Sequence, residues 1–176
     1  MKKILVVVDM QNDFINGSLG TPEAQAILPR VIEKIKNEED GTLFIFTRDT
    51  HTENYLNTQE GKKLPVKHCI KDTYGWEIAP GIMDLFNFQP FIVDKPIFGS
   101  TELMSLLSSA IGVQEDTVIE FCGLCTDICV VSNALMAKSC FPEVSIIVDS
   151  KLCAGVTPAS HEAALTTMKM CQIEVL

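Results

Sequence analysis

Six short apolar runs, spaced along 176 residues, limit what this chain can fold into more than any other feature. The first, "KILVVVD" (3–9), is rich in β-branched residues and lacks polar alternation, which suits a strand buried on both faces. "TLFIFT" (42–47), "PFIVD" (90–94), "DTVIEFCG" (116–123) and "EVSIIVD" (143–149) repeat the pattern, and "CQIEVL" (171–176) closes the set. Segments with helical spacing lie between them. "TPEAQAILPRVIEKIKNEE" (21–39) has Thr21 as N-cap and Pro22 at the first position, with Pro29 predicting a kink or a late start. "TELMSLLSSAI" (101–111) takes Thr101 as cap, a third helix runs from about Asp127 to Lys138, and "TPASHEAALTTMKM" (157–170) opens on Thr-Pro again. This alternation predicts an α/β chain whose mostly parallel sheet is covered on both faces, with right-handed crossovers. With no repeat, low-complexity tract or linker, residues 1–176 read as a single domain.

In such sheets, ligands collect beyond the carboxyl ends of the strands. The residues there are Asp9, Arg48-Asp49, Asp94-Lys95, Gly123 to Cys129, and Asp149-Ser150. A net charge of −9 with no basic run argues against nucleic acid, and no apolar run approaches the roughly 18 residues of a membrane span. "MKKILVVVDMQNDF" turns polar at Asp9 with no cleavage-site pattern, so no export signal is expected. Seven cysteines, an odd number, then read as reduced thiols of a cytoplasmic protein.

Three of those cysteines fall within eight positions, Cys122, Cys125 and Cys129. Cys122 at a strand end reads as core, as do Cys69, Cys140, Cys153 and Cys171 by default. A zinc knuckle would need a second Cys pair, which the sequence lacks. A redox CxxC would sit at a helix N-terminus rather than across a strand end. Cys129 differs: with Thr126 or Asp127 capping, it enters the first helical turn, where unpaired N–H groups and the helix dipole favour thiolate. Lys95 supplies a cation and Asp9 a proton acceptor from neighbouring strand ends, a set able to activate a nucleophile. The loop Gly123-Leu124-Cys125-Thr126 can aim N–H groups at an oxyanion. The long polar segment "RDTHTENYLNTQEGKKLPVKHC" (48–69) holds Asp49, His51, Glu60 and His68, all suited to metal ligation. From spacing alone the simpler account is a turn-capping Asp49, surface histidines and a solvated Glu60. His161, within the last helix, reads as structural, and Lys151 and Cys153 as rim residues.

These motifs together resemble the isochorismatase-like cysteine hydrolases, which include the nicotinamidases. "VVVDMQNDF" (6–14) is similar to the family's opening strand, "VDKPIFGSTEL" (93–103) to its lysine segment and "GLCTDICVVSNA" (123–134) to its signature. The resemblance implies a three-layer α/β/α doubly wound sheet of six parallel strands, with Asp9, Lys95 and Cys129 as a catalytic triad. It also implies a non-proline cis peptide at Leu124–Cys125 and an oxyanion hole from the N–H groups of Cys125 and Cys129. Because the isochorismatase branch lacks the nucleophilic cysteine, the resemblance favours the amide-cleaving branch. Nicotinamide, giving nicotinate and ammonia through a thioester, is then the leading substrate. Asp49, His51 and His68, with Glu60 as fourth, fit the branch's ligands for one divalent ion (Zn, Fe or Mn), and no organic cofactor is implied. Pro65 stands where relatives carry a ring-stacking aromatic, so Phe14, Leu124, Tyr74 and Trp76 become the candidate substrate contacts. A homo-oligomer, dimer or tetramer, is the usual assembly among relatives. The competing readings are a hydrolase of another carbamoyl or ureido compound, an isochorismatase-type hydrolase that does without the thiol, and a redox-sensing module using Cys122, Cys125 and Cys129.

Overall fold

The strands form where the apolar runs predict them. In a computed structural model describing residues 2–111 and 116–176, they are β1 (Lys2–Val8), β2 (Leu43–Asp49), β3 (Phe91–Lys95), β4 (Thr117–Leu124), β5 (Ser145–Ala154) and β6 (Glu174–Val175). All pair in parallel in the order β3-β2-β1-β4-β5-β6. Ile4 to Val8 are fully buried, as an interior strand covered on both faces requires. The helices are α1 (Asn12–Ile15), α2 (Pro22–Lys36), α3 (Gln59–Lys63), α4 (Pro80–Met83), α5 (Thr101–Ala110), α6 (Val131–Cys140) and α7 (Pro158–Met170). Among them, α2 packs on α4 and crosses β4 and β5, while α5, α6 and α7 pack in series. Helices cover both sides of the sheet. No helix among the described residues is long and apolar enough to cross a membrane.

Caps follow local chemistry. Thr21 accepts the Ala24 N–H, and Ala24, Ile27, Val31 and Ile35 make one apolar stripe on α2. That helix begins at Pro22 and continues through Pro29, so the late start predicted from Pro29 does not occur. Thr157 and Ser160 form a reciprocal capping box on α7. Thr101 is not a cap: Ser100 takes that place, accepting the Leu103 N–H, and its own N–H is held by Asn133 Oδ1 at 3.0 Å.

Two further expectations need correction. β5 does not stop at Asp149; after a register shift it resumes, pairing Cys153 with Gly123. Asp149 and Ser150 therefore lie within an irregular strand, where Asp149 accepts the Lys151 N–H and Ser150 reaches the Leu176 carbonyl. Cys140 and Cys171 are exposed rather than core, because they end α6 and cap α7 away from the apolar faces. Cys69, Cys122 and Cys153 are buried.

The strand order reverses between β1 and β4, which opens a crevice beyond their carboxyl ends. Gly123 permits the close approach there. Its φ is +113°, and a Cβ at that position would lie 2.1 Å from the Val8 carbonyl oxygen.

Candidate active site

Strand alternation decides which of the polar strand ends face the crevice. Asp49 and Lys95 are register partners, as are Arg48 and Asp94 one step earlier, so the two pairs point to opposite faces. Arg48 and Asp94 bond to each other at 2.6 and 3.0 Å. Arg48 also lies over the Trp76 ring, 3.6 Å from its centroid.

Lys95, on the opposite face, is fully buried with Nζ 2.6 Å from Asp9 Oδ2, 3.3 Å from Cys129 Sγ and 3.5 Å from Asp49 Oδ1. The structure thus brings Asp9, Lys95 and Cys129 together from β1, β3 and the segment after β4. Asp9 leaves its strand with φ +48° and is held by Thr47, whose hydroxyl donates to Asp9 Oδ1 at 2.6 Å. Burial raises the proton affinity of the Asp9 carboxyl beyond what neighbouring Lys95 offsets. Burial and the Asp9 charge hold the Cys129 thiol well above its ordinary range. Burial works against the Lys95 charge, but Asp9, Cys129 and Asp49 outweigh it and keep the ammonium protonated.

Cys129 sits in a π-turn, Thr126–Val130, ahead of α6, with the Val130 N–H reaching back to the Cys125 carbonyl at 3.0 Å. Neither Thr126 nor Asp127 caps that turn, contrary to the sequence reading. Both tie the loop to its neighbours instead: Thr126 bonds His161 Nδ1 at 2.8 Å, and Asp127 accepts the Val156 N–H. The Leu124–Cys125 peptide is cis. Burial pushes the Cys125 thiol up to about 12, the reverse of what a redox-active CxxC needs, and all seven cysteines are free.

The second cluster lies beside the first. One donor atom from each of Asp49, His51, Glu60 and His68 falls within 4.8 Å of the others. Asp49 Oδ2 is 2.8 Å from His51 Nε2 and 3.4 Å from His68 Nε2, and Glu60 Oε1 is 3.7 Å from both rings. The simpler account of surface histidines fails, since His51 and His68 are buried. The His68 Nδ1–H donates to the Val66 carbonyl at 2.8 Å, leaving Nε2 to face two carboxylates. An imidazole fixed this way by a backbone acceptor is the usual arrangement of a metal ligand, and two nitrogens with two carboxylates can hold a divalent ion. Burial alone would raise the Asp49 carboxyl, but hydrogen bonds from both histidines and the Lys95 charge hold it well below its usual range.

Both clusters open into one cavity of about 520 Å3. Leu124, Cys125 and Cys129 line it together with Asp49, Glu60 and His68, as does Phe14, 5.6 Å from the His68 ring. Tyr74 and Trp76, the other expected substrate contacts, do not line it. Tyr74 is 64% exposed, and Trp76 is packed under Arg48 with its Nε1–H on the Thr50 hydroxyl. Lys151 and Cys153 border a separate shallow hollow with His161.

Sequence reasoning passed over four supporting residues. Gln11, fully buried, clamps the Asp49 backbone at both ends: Oε1 accepts its N–H at 2.7 Å and Nε2 donates to its carbonyl at 2.9 Å. Thr47 orients Asp9 as described, and Asp13 accepts the Cys69 N–H next to His68. Tyr55 packs against both histidine rings, with centroids 4.6 and 4.9 Å away. Gln11 and Asp13 stand in the same run as Asp9, but no spacing rule distinguishes a buried amide from a solvated one.

The Isochorismatase domain family model matches residues 3–176. A nicotinamidase of Saccharomyces cerevisiae is 30% identical over 132 residues, spanning 58% of this chain and 61% of that protein. A protein of Arabidopsis thaliana described as a probable inactive nicotinamidase is 30% identical over 94% of this chain and 87% of its own length. The crystal structure of a pyrazinamidase of Pyrococcus horikoshii in complex with zinc superposes with a TM-score of 0.80 at 29% identity, covering 100% of this chain and 99% of that one. This chain therefore belongs to the isochorismatase family, among its nicotinamidase-related members.

Proposed function

We propose that the chain is a cysteine-dependent hydrolase of small primary carboxamides that converts nicotinamide to nicotinate and ammonia through a thioester on Cys129. One observation carries this reading: a buried ammonium, Lys95, stands 2.6 Å from a carboxylate and 3.3 Å from the thiol of Cys129, which lines a cavity. Cys129 gives its proton to Asp9, whose buried carboxyl has a raised affinity for it, and Lys95 stabilises the thiolate. The sulfur attacks the amide carbon, and the N–H groups of Cys125 and Cys129 hold the oxyanion. The C–N bond breaks as Asp9 returns the proton to nitrogen, and ammonia departs. Asp9 then takes a proton from water, whose oxygen attacks the thioester. The acid leaves and the thiol is restored.

Asp49, His51, Glu60 and His68 would hold one divalent ion, zinc, iron or manganese. Such an ion supplies a binding point for a ring nitrogen, or for a water bonded to it, and so orients the substrate. The mixed donor set supports this, as does the zinc bound by the Pyrococcus relative. Metal analysis of protein purified without a His-tag should return about one equivalent, and less than about 0.1 with chelator-insensitive activity would remove the site.

The decisive experiment measures ammonia release from nicotinamide by wild-type protein and Cys129→Ala. The substitution should cost at least about 10^3-fold in kcat. Near wild-type turnover, or insensitivity to a thiol alkylator, would transfer the reading to a thiol-independent hydrolase.

A further inference from the structure

We infer that the site takes, in preference to nicotinamide itself, primary amides bearing an uncharged apolar arm beyond the ring or chain that carries the carboxamide, an inference that rests on the amidase reading above. The cavity is too large for nicotinamide alone. Even at about 30 Å3 per heavy atom, a whole water's share of the liquid and so an upper bound for bonded atoms, the roughly nine heavy atoms of nicotinamide take no more than about 270 Å3. An ion and one water take about 60 Å3 more by the same measure. Roughly a third of the 520 Å3 is left over, in a cavity whose size suits a larger ligand.

Chemistry of the outer wall decides what fills that space. Besides the reactive groups, the cavity is lined by the apolar side chains of Leu19, Leu64, Ile97, Phe98, Ile128 and Val156. Four of these are solvent-exposed apolar side chains: Leu64 at 38%, Ile97 at 47%, Phe98 at 38% and Val156 at 52%. Exposed apolar surface gathered at the mouth of a reaction cavity is a binding surface by its energetics, since covering it removes apolar area from water. Polar partners are scarce. Outside the cluster of Asp49, Glu60 and His68, the polar side chains of the lining are Thr21, whose hydroxyl accepts the Ala24 N–H and keeps one O–H to donate, and Gln59 and Lys63 on the exposed turn of α3. An arm with hydroxyls or charge would lose its water contacts for little return. Carbamoyl and ureido compounds with polar ends fit this wall poorly, and an alkyl or aryl extension fits it well.

The test compares nicotinamide with 5-butylnicotinamide and with 5-(3-aminopropyl)nicotinamide, its charged analogue of equal length. Each methylene that becomes buried should raise kcat/KM about fourfold, so the butyl amide should exceed nicotinamide by at least about tenfold while the ammonium analogue does not. Binding of 5-butylnicotinate against nicotinate, measured by calorimetry, reads the same wall without chemistry and should show the same ratio. If no amide is turned over, the amidase reading fails while calorimetry still judges the wall. If the butyl compounds are turned over and bound no better than their parents, this inference is overturned. The double substitution Ile97→Ser/Phe98→Ser should bring the butyl-to-parent ratio close to unity, and a ratio that survives it would also overturn the inference. A second copy of the chain is the competing occupant. A fall in solution mass caused by the same double substitution would assign the surface to that copy and overturn the inference, whereas an unchanged mass supports it.

Discussion

Two buried charge clusters occupy this sheet, and they are built on different principles. Toward the amino ends, Lys3 and Lys34 each pair with both Glu38 and Glu120 at 2.7–3.2 Å, two cations against two anions. Toward the carboxyl ends, the single ammonium of Lys95 faces Asp9 and Asp49 and the Cys129 thiol, all buried. The first cluster balances its charge and leaves its lysines about a quarter exposed. The second carries an excess of acid, is almost wholly buried and opens on a cavity. A balanced network has little reason to exchange protons or ligands. One with surplus carboxylate and a strongly held cation is suited to move a proton or to take up a metal.

The sharpest way to break this contrast is Lys95→Met. It leaves two buried carboxylates without their cation, which should cost about 3–5 kcal/mol of stability and at least about 10^3-fold in activity. Denaturant unfolding should show the stability loss shrinking as pH falls and the orphaned carboxylates take up protons. An active, undiminished variant would deny the cluster its role. Glu120→Gln tests the other side. Removing one member of a network with partly solvated lysines should cost only about 1–2 kcal/mol, with turnover per folded molecule within about twofold of wild type. A large loss of turnover would show that the amino-end network reaches the site.

The smallest effect is acid-dependent. Burial alone would raise the Glu38 carboxyl, but hydrogen bonds and charge from Lys3 and Lys34 bring it below its ordinary 4.5. A carboxylate lowered on folding contributes stability above its unfolded value and loses it as pH falls through the folded one. The stability gap between wild type and Glu38→Gln should therefore be constant above about pH 4.5 and close below it. A gap that persists in acid would mean packing, not charge, accounts for Glu38.

Much of this was legible in the residues, for physical reasons that also explain what was not. Ile4 to Val8 had to be an interior strand because no polar residue breaks the run, and Thr21-Pro22 and Thr157-Pro158 mark helix starts by cap chemistry. Ser100 and Thr101 offer the same hydroxyl, so sequence could not choose between them; tertiary contact with Asn133 did. Asp149 and Ser150 look like a strand end in sequence, while an irregularity lets β5 resume beyond them. Tyr74 and Trp76 suit the role of ring platforms by residue type, but Arg48 and Thr50 occupy Trp76, and Tyr74 is 64% exposed. The convergence of Asp49, His51, Glu60 and His68 depends on how a long loop folds over β2, which spacing does not encode. Alternation along β2 and β3 separates Asp49 and Lys95 from Arg48 and Asp94, a signal already present in the sequence.

The most direct test is rapid-quench mass spectrometry of the wild-type protein turning over nicotinamide. The account predicts a transient mass increase of one nicotinoyl group, localised to the peptide bearing Cys129 and absent in Cys129→Ala. Ammonia release with no acylation, or acylation on any other cysteine, would contradict it.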